Sequence, residues 1–228
     1  MKLRLKAKQP EEGGAVSFFW DAPEPVSWKA GQYGVYKLPH PSADDRKDRR
    51  LFTVSAAPFE QSPRITTRLT SPKSSSFKSA LDHLKIGDEI ELGSVGGDFV
   101  MENPETHHVF IAGGIGITPY RAILKQLEHD RQSLNIHLIY ANRDADVVFK
   151  TELEDLAARH LEFNIDYVLE PQRVDEGTIK ELTTELDRSM FWISGPEPMV
   201  EAVEKVLKKL NVPLGHIKTD YFPGYDWP

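Results

Sequence analysis

Two short stretches carry residue types that could do chemistry. In "GGIGITP", Gly113, Gly114 and Gly116 stand between an apolar run and an amphipathic one, and Pro119 follows. Glycines lack the β-carbon that would keep a ligand off the backbone, and proline suits a first helical turn, where no intrahelical N–H bond is needed. A strand, such a turn and a helix start make a phosphate site, because a helix N-terminus favours an anion. Pro119 occupies the third position of a G-x-G-x-x-G fingerprint and no Gly-Lys-Ser/Thr follows, so neither standard nucleotide signature is complete. A tight turn without a ligand is the alternative. In "RRLFT", Arg50 offers a fork for a phosphate, Phe52 a flat face for stacking and Thr53 a hydroxyl near both. The same stretch could also be an ordinary barrel strand.

The elements that must position these residues follow from pattern. The first hundred residues read as six short strands, "LRLKAK", "AVSFFW", "GQYGVYKL", "RLFTVS", "RITTRLT" and "DEIEL", divided by Gly, Pro, Asp and Ser clusters, which predicts an antiparallel barrel. One helix interrupts them, "SSFKSALDHL", capped by Ser75 or Ser76, with Phe77, Ala80, Leu81 and Leu84 on one face. After the polar connector "ENPETH" the rhythm becomes alternating strand and helix. Strands "HHVFIAG", "NIHLIYAN", "FNIDYVL", "SMFWISG" and "HIKTDYF" are separated by helices in "TPYRAILKQLEHD", "FKTELEDLAARH", "TIKELTTEL" and "PEPMVEAVEKVLKKL". That alternation predicts a five-stranded parallel sheet with helices on both faces. The boundary between a barrel domain, 1–103, and an α/β domain, 104–228, is placed in the connector.

Composition narrows the chemistry. There is no cysteine, so disulfides, thiolate metal sites, a cysteine nucleophile and a cysteine-ligated cluster are excluded for this chain, and redox chemistry requires a bound organic cofactor. The eight histidines are scattered, and no metal site is expected. The first 105 residues balance basic and acidic side chains, so the net charge of −7 belongs to the second half. That balance argues against nucleic acid, whose binding draws on neutralised phosphates. No apolar run reaches the roughly 18 residues of a membrane span, and the basic start has no apolar h-region behind it, so a cytoplasmic protein is expected.

Taken together and in this order, the motifs resemble the ferredoxin-NADP reductase family, over nearly the whole chain. "RLFT" matches its R-x-Y-S/T motif, "KSSSFKSAL" its G-x-x-S stretch, "GGIGITP" its pyridine-nucleotide turn, "SGPEPM" its C-G-x-x-x-M stretch and "DYFPGY" the E-x-F tail of related flavin reductases. The resemblance implies a flavin-binding barrel, with FAD preferred over FMN, followed by a domain that binds NADH or NADPH. It assigns Arg50 to the flavin phosphate, Phe52 to the isoalloxazine face and Thr53 to the neighbourhood of flavin N5, with Leu51, Arg68, Ser75, Ser76 and Phe77 also at the flavin. Lys73 stands where the family usually has glycine, and Phe52 replaces a tyrosine. Gly113, Gly114, Gly116, Thr118, Pro119, Asn142 and Arg143 are assigned to the nicotinamide nucleotide, with Ser194, Gly195, Pro196 and Met199 at the same sheet edge. Ser194 stands where cysteine is common, and Asp220 matches the acidic position of the tail. Thr53, Ser194 and Asp220 are thus the expected catalytic residues. Phe222 is assigned to the flavin's other face, with Tyr225 and Trp227 competing. Arg143 could pair with a 2'-phosphate, but Glu170 would repel one, which favours NADH.

The implied activity passes hydride from NAD(P)H to the flavin and electrons on to a separate carrier, such as ferredoxin, flavodoxin or an oxygenase component. Arg46, Lys47, Arg49 and Arg50 could steer an acidic partner. A flavin or ferric reductase with a small acceptor, and a non-catalytic nucleotide-sensing subunit, are the competing readings.

Overall fold

The computed structural model describes residues 1–41, 43–45, 47–69, 75–183 and 185–222. Six strands form the first sheet: β1 (Lys2–Pro10), β2 (Ala15–Asp21), β3 (Tyr33–Lys37), β4 (Arg49–Thr53), β5 (Arg64–Arg68) and β6 (Glu89–Gly96). Their order is β4-β3-β6-β1-β2-β5, with every neighbour antiparallel. The sheet curls until its edges β4 and β5 meet. Just past β4, Ser55 N–H donates to Arg64 O at 2.9 Å, and the two hydroxyls of Ser55 and Thr66 lie 2.8 Å apart. Beyond that clasp the seam has no ladder, which leaves the backbone edges of two strands facing one gap.

Helix α1 (Ser76–His83) plugs the barrel. Ser75 is its cap, accepting from Lys78 N–H at 3.3 Å, and the apolar stripe buries Phe77 and Leu81 completely among Leu3, Phe18, Trp20, Tyr36 and Leu92. Leu84 closes the helix with extended backbone.

The second sheet comprises β7 (His108–Gly113), β8 (Ile136–Asn142), β9 (Phe163–Leu169), β10 (Met190–Pro196) and β11 (Ile217–Phe222), in the order β11-β10-β7-β8-β9 and parallel throughout. Period-2 side-chain direction divides β7 between two cores. Phe110 and Ala112 pack with α2 (Thr118–His129) and α3 (Lys150–Arg159), while Val109 and Ile111 pack with α4 (Glu176–Leu182) and α5 (Glu197–Lys209). Two helices therefore cover each face, as the alternation predicts. The strand order reverses between β7 and β10, and the crevice at their carboxyl ends is where ligands bind in such sheets.

Some helix boundaries differ from the sequence reading. The helix expected over 178–186 starts at Glu176, because Asp175 caps it by accepting from Thr178 N–H at 3.0 Å, and stops at Leu182, where Thr183 turns extended. Phe149, expected inside α3, instead precedes it with φ of 63°. Among the described residues no helix is long and apolar enough to cross a membrane.

Candidate functional site

The turn after β7 is a 3-10 turn, Gly114–Ile117, and its glycines are required for three different reasons. A β-carbon on Gly116 would sit 2.2 Å from the backbone oxygen of Ser194, so the turn packs directly on β10. One on Gly113 would meet the Met199 sulfur at 2.2 Å. Gly114 is different: its φ of 52° lies in the left-handed region, and the nearest atom to a β-carbon there is Arg68 Nη1 at 3.4 Å. Gly113 and Gly116 thus serve packing, and Gly114 lies at van der Waals distance from the Arg68 guanidinium and Asn142 Oδ1.

The turn is held from below. Tyr140 Oη lies 3.0 Å from Gly114 O, Thr118 Oγ1 donates to Ile115 O at 3.1 Å, and Tyr120 Oη donates to Trp192 O at 2.8 Å. Thr118 is buried with its hydroxyl proton committed to the turn, so its first effect is to shape the loop. Pro119 occupies the first turn of α2, and Gly195, Pro196 and Met199 carry the chain from β10 into α5, with Met199 buried against Gly113.

Three buried polar atoms around this turn are poorly satisfied: Arg68 Nε makes no hydrogen bond with a described group, Asn142 Nδ2 approaches only Tyr140 and Ser194 Oγ only Asp220, neither at ordinary geometry. Buried polar groups are ordinarily satisfied, and a cluster of exceptions marks a place where something else binds. Asn142 ends β8 and is 7% exposed, with its Oδ1 3.4 Å from Arg68 Nη2. Arg68 ends β5 and therefore reaches from the barrel across to the other sheet. Arg143, next in sequence to Asn142, is exposed, and Glu170 pairs with Arg173 at 3.8 Å.

Ser194 and Asp220 are register partners on β10 and β11. Burial pushes the Asp220 carboxyl up to about 6, Asp98 adds to the shift, and the Ser194 hydroxyl opposes it. A carboxyl that titrates near neutrality at a sheet edge is a functional-site signal.

On the barrel side, β4 places Phe52 half-buried and Thr53 buried, while Leu51 points outward with 55% exposure. Phe52 lies 5.7 Å from Phe77 and 6.2 Å from Tyr36, ring centre to ring centre. Phe77 itself is wholly inside the barrel core, so its side chain supports Phe52 rather than lining the gap. Arg50 Nη2 donates to both Asp44 carboxylate oxygens, at 2.5 and 2.6 Å, and the guanidinium lies over the Phe77 ring at 5.5 Å. Ser76 Oγ accepts from Asp44 N–H at 3.0 Å and meets His40 Nε2 at 2.9 Å. Because His40 Nδ1 contacts Leu38 O at 2.7 Å, a neutral ring accepts at Nε2 and the Ser76 hydroxyl is the donor.

The assigned residues fall into two groups, Arg50, Phe52, Thr53, Ser75 and Ser76 at the barrel seam, and Gly114, Asn142, Ser194 and Asp220 at the sheet edge. Arg68 joins the second group. His40 and Asp44 were not visible in the sequence as site residues, since no motif connects them to Ser76 or Arg50. Lys73, Arg46, Tyr225 and Trp227, and the side chain of Phe222, lie outside the described residues.

Residues 110–205 match the family model of the oxidoreductase NAD-binding domain. The chain is 30% identical over 233 residues to a flavohemoprotein of Burkholderia sp. (strain TH2), covering 95% of this chain and 58% of that one. It is 26% identical over 224 residues to the glycine betaine monooxygenase reductase subunit of Chromohalobacter salexigens, covering 90% and 59%. The fold superposes on the FAD/NAD-binding domain of nitric oxide dioxygenase from Vibrio cholerae with a TM-score of 0.84, at 24% identity and covering 97% and 98%. The chain spans 58% of the length of the flavohemoproteins it matches from Burkholderia and two Pseudomonas species.

Proposed function

We propose that the chain, similar to reductases of the ferredoxin-NADP reductase type over nearly its whole length, is an FAD-dependent NAD(P)H reductase that delivers electrons to a separate acceptor. The observation that carries this reading is the convergence of the poorly satisfied Arg68 Nε, Asn142 Nδ2 and Ser194 Oγ on a glycine turn at the strand-order reversal, with Arg68 reaching it from the barrel edge strand β5. The seam suits a flavin: an aromatic face at Phe52, unpaired strand edges, and the Ser75–Ser76 start of α1 for a phosphate. Bound there, FAD would accept a hydride from the nicotinamide and release electrons singly or in pairs.

The protein's own residues then have distinct tasks. Thr53 and Phe52 orient the flavin, and Arg50 meets its phosphate once Asp44 yields the guanidinium. Gly114 lets the dinucleotide backbone approach, Asn142 and Ser194 supply hydrogen bonds, and Asp220 places a negative charge beside the reacting ring. Residues 1–103 and 104–228 act as the flavin and nucleotide domains. Glu170 favours NADH over NADPH, through repulsion of a 2'-phosphate. The acceptor is an electron-carrying protein, an oxygenase component above all, in keeping with the reductase subunits among the relatives. The exposed Arg49 and the half-buried Arg50 on β4 supply positive charge for an acidic surface. A cytoplasmic location accords with this role.

Arg68, expected at the flavin, is proposed instead to clamp the dinucleotide phosphates, because its guanidinium lies over Gly114. Arg68→Ala is expected to weaken NADH binding on the order of 10- to 100-fold, the range for a lost charge-assisted hydrogen bond. Flavin content should be unchanged. Titrating the variant with NADH by fluorescence checks it; loss of flavin with normal NADH affinity would return Arg68 to the flavin.

The primary test is an anaerobic visible spectrum of the flavin-loaded protein before and after one equivalent of NADH and, separately, of NADPH. Bleaching of the flavin band is expected, faster with NADH. A bound flavin that neither nucleotide reduces would leave a nucleotide-binding subunit without reductase activity.

A further inference from the structure

Arg121 lies one turn into α2, three residues after Thr118, with a side chain only 5% exposed. Its guanidinium is saturated by contacts in two directions. Toward the barrel, Nη1 donates to Ser55 O at 2.9 Å and to Glu60 Oε2 at 2.7 Å, and Nη2 donates to Glu60 Oε1 at 3.0 Å. Toward its own sheet, Nε donates to Glu152 Oε2 on α3 at 2.9 Å. Burial alone would raise the Glu60 carboxyl, yet Arg121 holds it below its ordinary value.

The segment that Arg121 grips is itself stiff. Ser55 is clasped to β5 at the seam, and Glu60 Oε2 accepts Ala57 N–H at 2.6 Å, closing the 3-10 turn Pro58–Glu60. Ser55 is two residues from Thr53. A chain of short links therefore runs from the flavin edge of β4 through Ser55 and Arg121 to the first turn of α2. Phe149 fills the space beside it, its ring 5.6 Å from Arg121 and 5.0 Å from Arg64. Two other bonds between the barrel and α/β regions, Gly13 N–H to Asp146 Oδ1 at 2.8 Å and Thr151 Oγ1 to Glu12 Oε1 at 2.6 Å, are exposed, and Arg68 Nη2 reaches Asn142 Oδ1 only at 3.4 Å.

A buried guanidinium with two carboxylates is a weak source of stability, because desolvation offsets much of the attraction, but its bond directions are strict. We propose that Arg121 is a positioning residue for hydride transfer: it fixes the nucleotide turn of α2 against the flavin edge of the barrel. The inference rests on the reductase reading. It adds a residue that touches neither cofactor, and a misplacement near 1 Å at the reacting atoms is enough to slow transfer on the order of 100-fold.

Glu60 and Glu152 separate positioning from packing, since of these two carboxylates Glu60 belongs to the barrel, where it grips Arg121 beside Ser55 O, and Glu152 to α3. Glu60→Gln and Arg121→Met are expected to lower the limiting rate of flavin reduction, at saturating NADH in stopped flow, on the order of 10- to 100-fold. Flavin stoichiometry and NADH affinity should stay within about twofold. In the flavin-free protein, hydrogen exchange of segments 53–60 and 118–124 should accelerate together in Glu60→Gln. Glu152→Gln is expected to lower Tm and leave the limiting rate unchanged. A folded, flavin-loaded Glu60→Gln protein with the wild-type rate overturns the proposal, as does equal slowing in Glu60→Gln and Glu152→Gln. If Arg121→Met does not fold, the two glutamate variants decide. If the wild-type protein is not reduced at all, the reductase reading has failed, and uncoupled exchange of the two segments then overturns this inference too.

Discussion

Gly116→Ala is expected to produce the largest loss among alanine substitutions of the three glycines at the β7 turn. The new β-carbon would lie 2.2 Å from Ser194 O, 2.5 Å from Ser194 C and 2.7 Å from Gly195 Cα, all of them backbone atoms in the middle of a parallel sheet. No rotamer change relieves that overlap, so either the turn lifts off β10 or the strand end moves. The penalty should reach about 3 kcal/mol or more, the upper range for overpacking. In a chain of this size that lowers Tm by roughly 6–12 °C. NADH binding should be lost together with stability, because the displaced atoms belong to Gly114 and Ser194 on either side of the crevice. Gly113→Ala meets the end of the Met199 side chain, which can swing away, and Gly114→Ala meets nothing closer than 3.4 Å. The latter pays only the left-handed backbone penalty of about 1–2 kcal/mol. Thermal unfolding of the three variants beside NADH titrations tests the ranking. A Gly116→Ala protein with near-normal Tm and affinity would mean that the turn does not rest on β10.

That ranking also shows what a sequence can and cannot disclose. The glycine triplet announced a turn at a sheet edge, and the alternation of strands and helices placed it at the carboxyl end of β7. Both features are local and periodic, so they are written in consecutive residues. The reason for each glycine is not, because the atoms that require Gly116 lie on β10 and those that require Gly113 lie on α5. Arg68 illustrates the same limit. Its position on β5 linked it to the barrel and hence to the flavin, whereas its length carries it over the neighbouring sheet. The Asp44 carboxylate on Arg50 and the His40 ring on Ser76 were equally hidden, since side chains 6 and 36 residues apart meet only after the barrel closes. On α2 the residues Tyr120, Ile123, Leu124 and Leu127 are buried at helical spacing, but that periodicity says nothing of the buried Arg121. A charged residue inside an apolar stripe is the signal that was available, and its partners had to come from the fold.

Asp220 should give the protein a stability that falls as its catalytic competence rises. Its carboxyl is pushed up to about 6 by burial, with Asp98 contributing, against an ordinary value of 3.8. Between those two pH values the folded chain holds a proton that the unfolded chain has released, so the neutral form stabilises the fold. That contribution is complete below about pH 4 and is lost as pH rises through 6, a difference of about 3 kcal/mol across the titration. Asp220→Asn keeps the shape and removes the charge, so it should raise Tm relative to wild type at pH 8 and not at pH 4. With a nicotinamide nucleotide bound, an ionised Asp220 carboxylate in this partly dry crevice would stabilise the positive charge that hydride departure would leave on the ring. The limiting rate of flavin reduction in the wild-type protein should therefore climb between pH 5 and 7 with an apparent pKa of about 6. In Asp220→Asn it should be flat with pH and, at pH 8, slower on the order of 10- to 100-fold. The two measurements must move in opposite directions for the argument to stand. A variant both more stable and equally fast at pH 8 would leave the buried charge without a catalytic purpose, and one that is slower without being more stable would mean that the carboxyl is not strained by its burial.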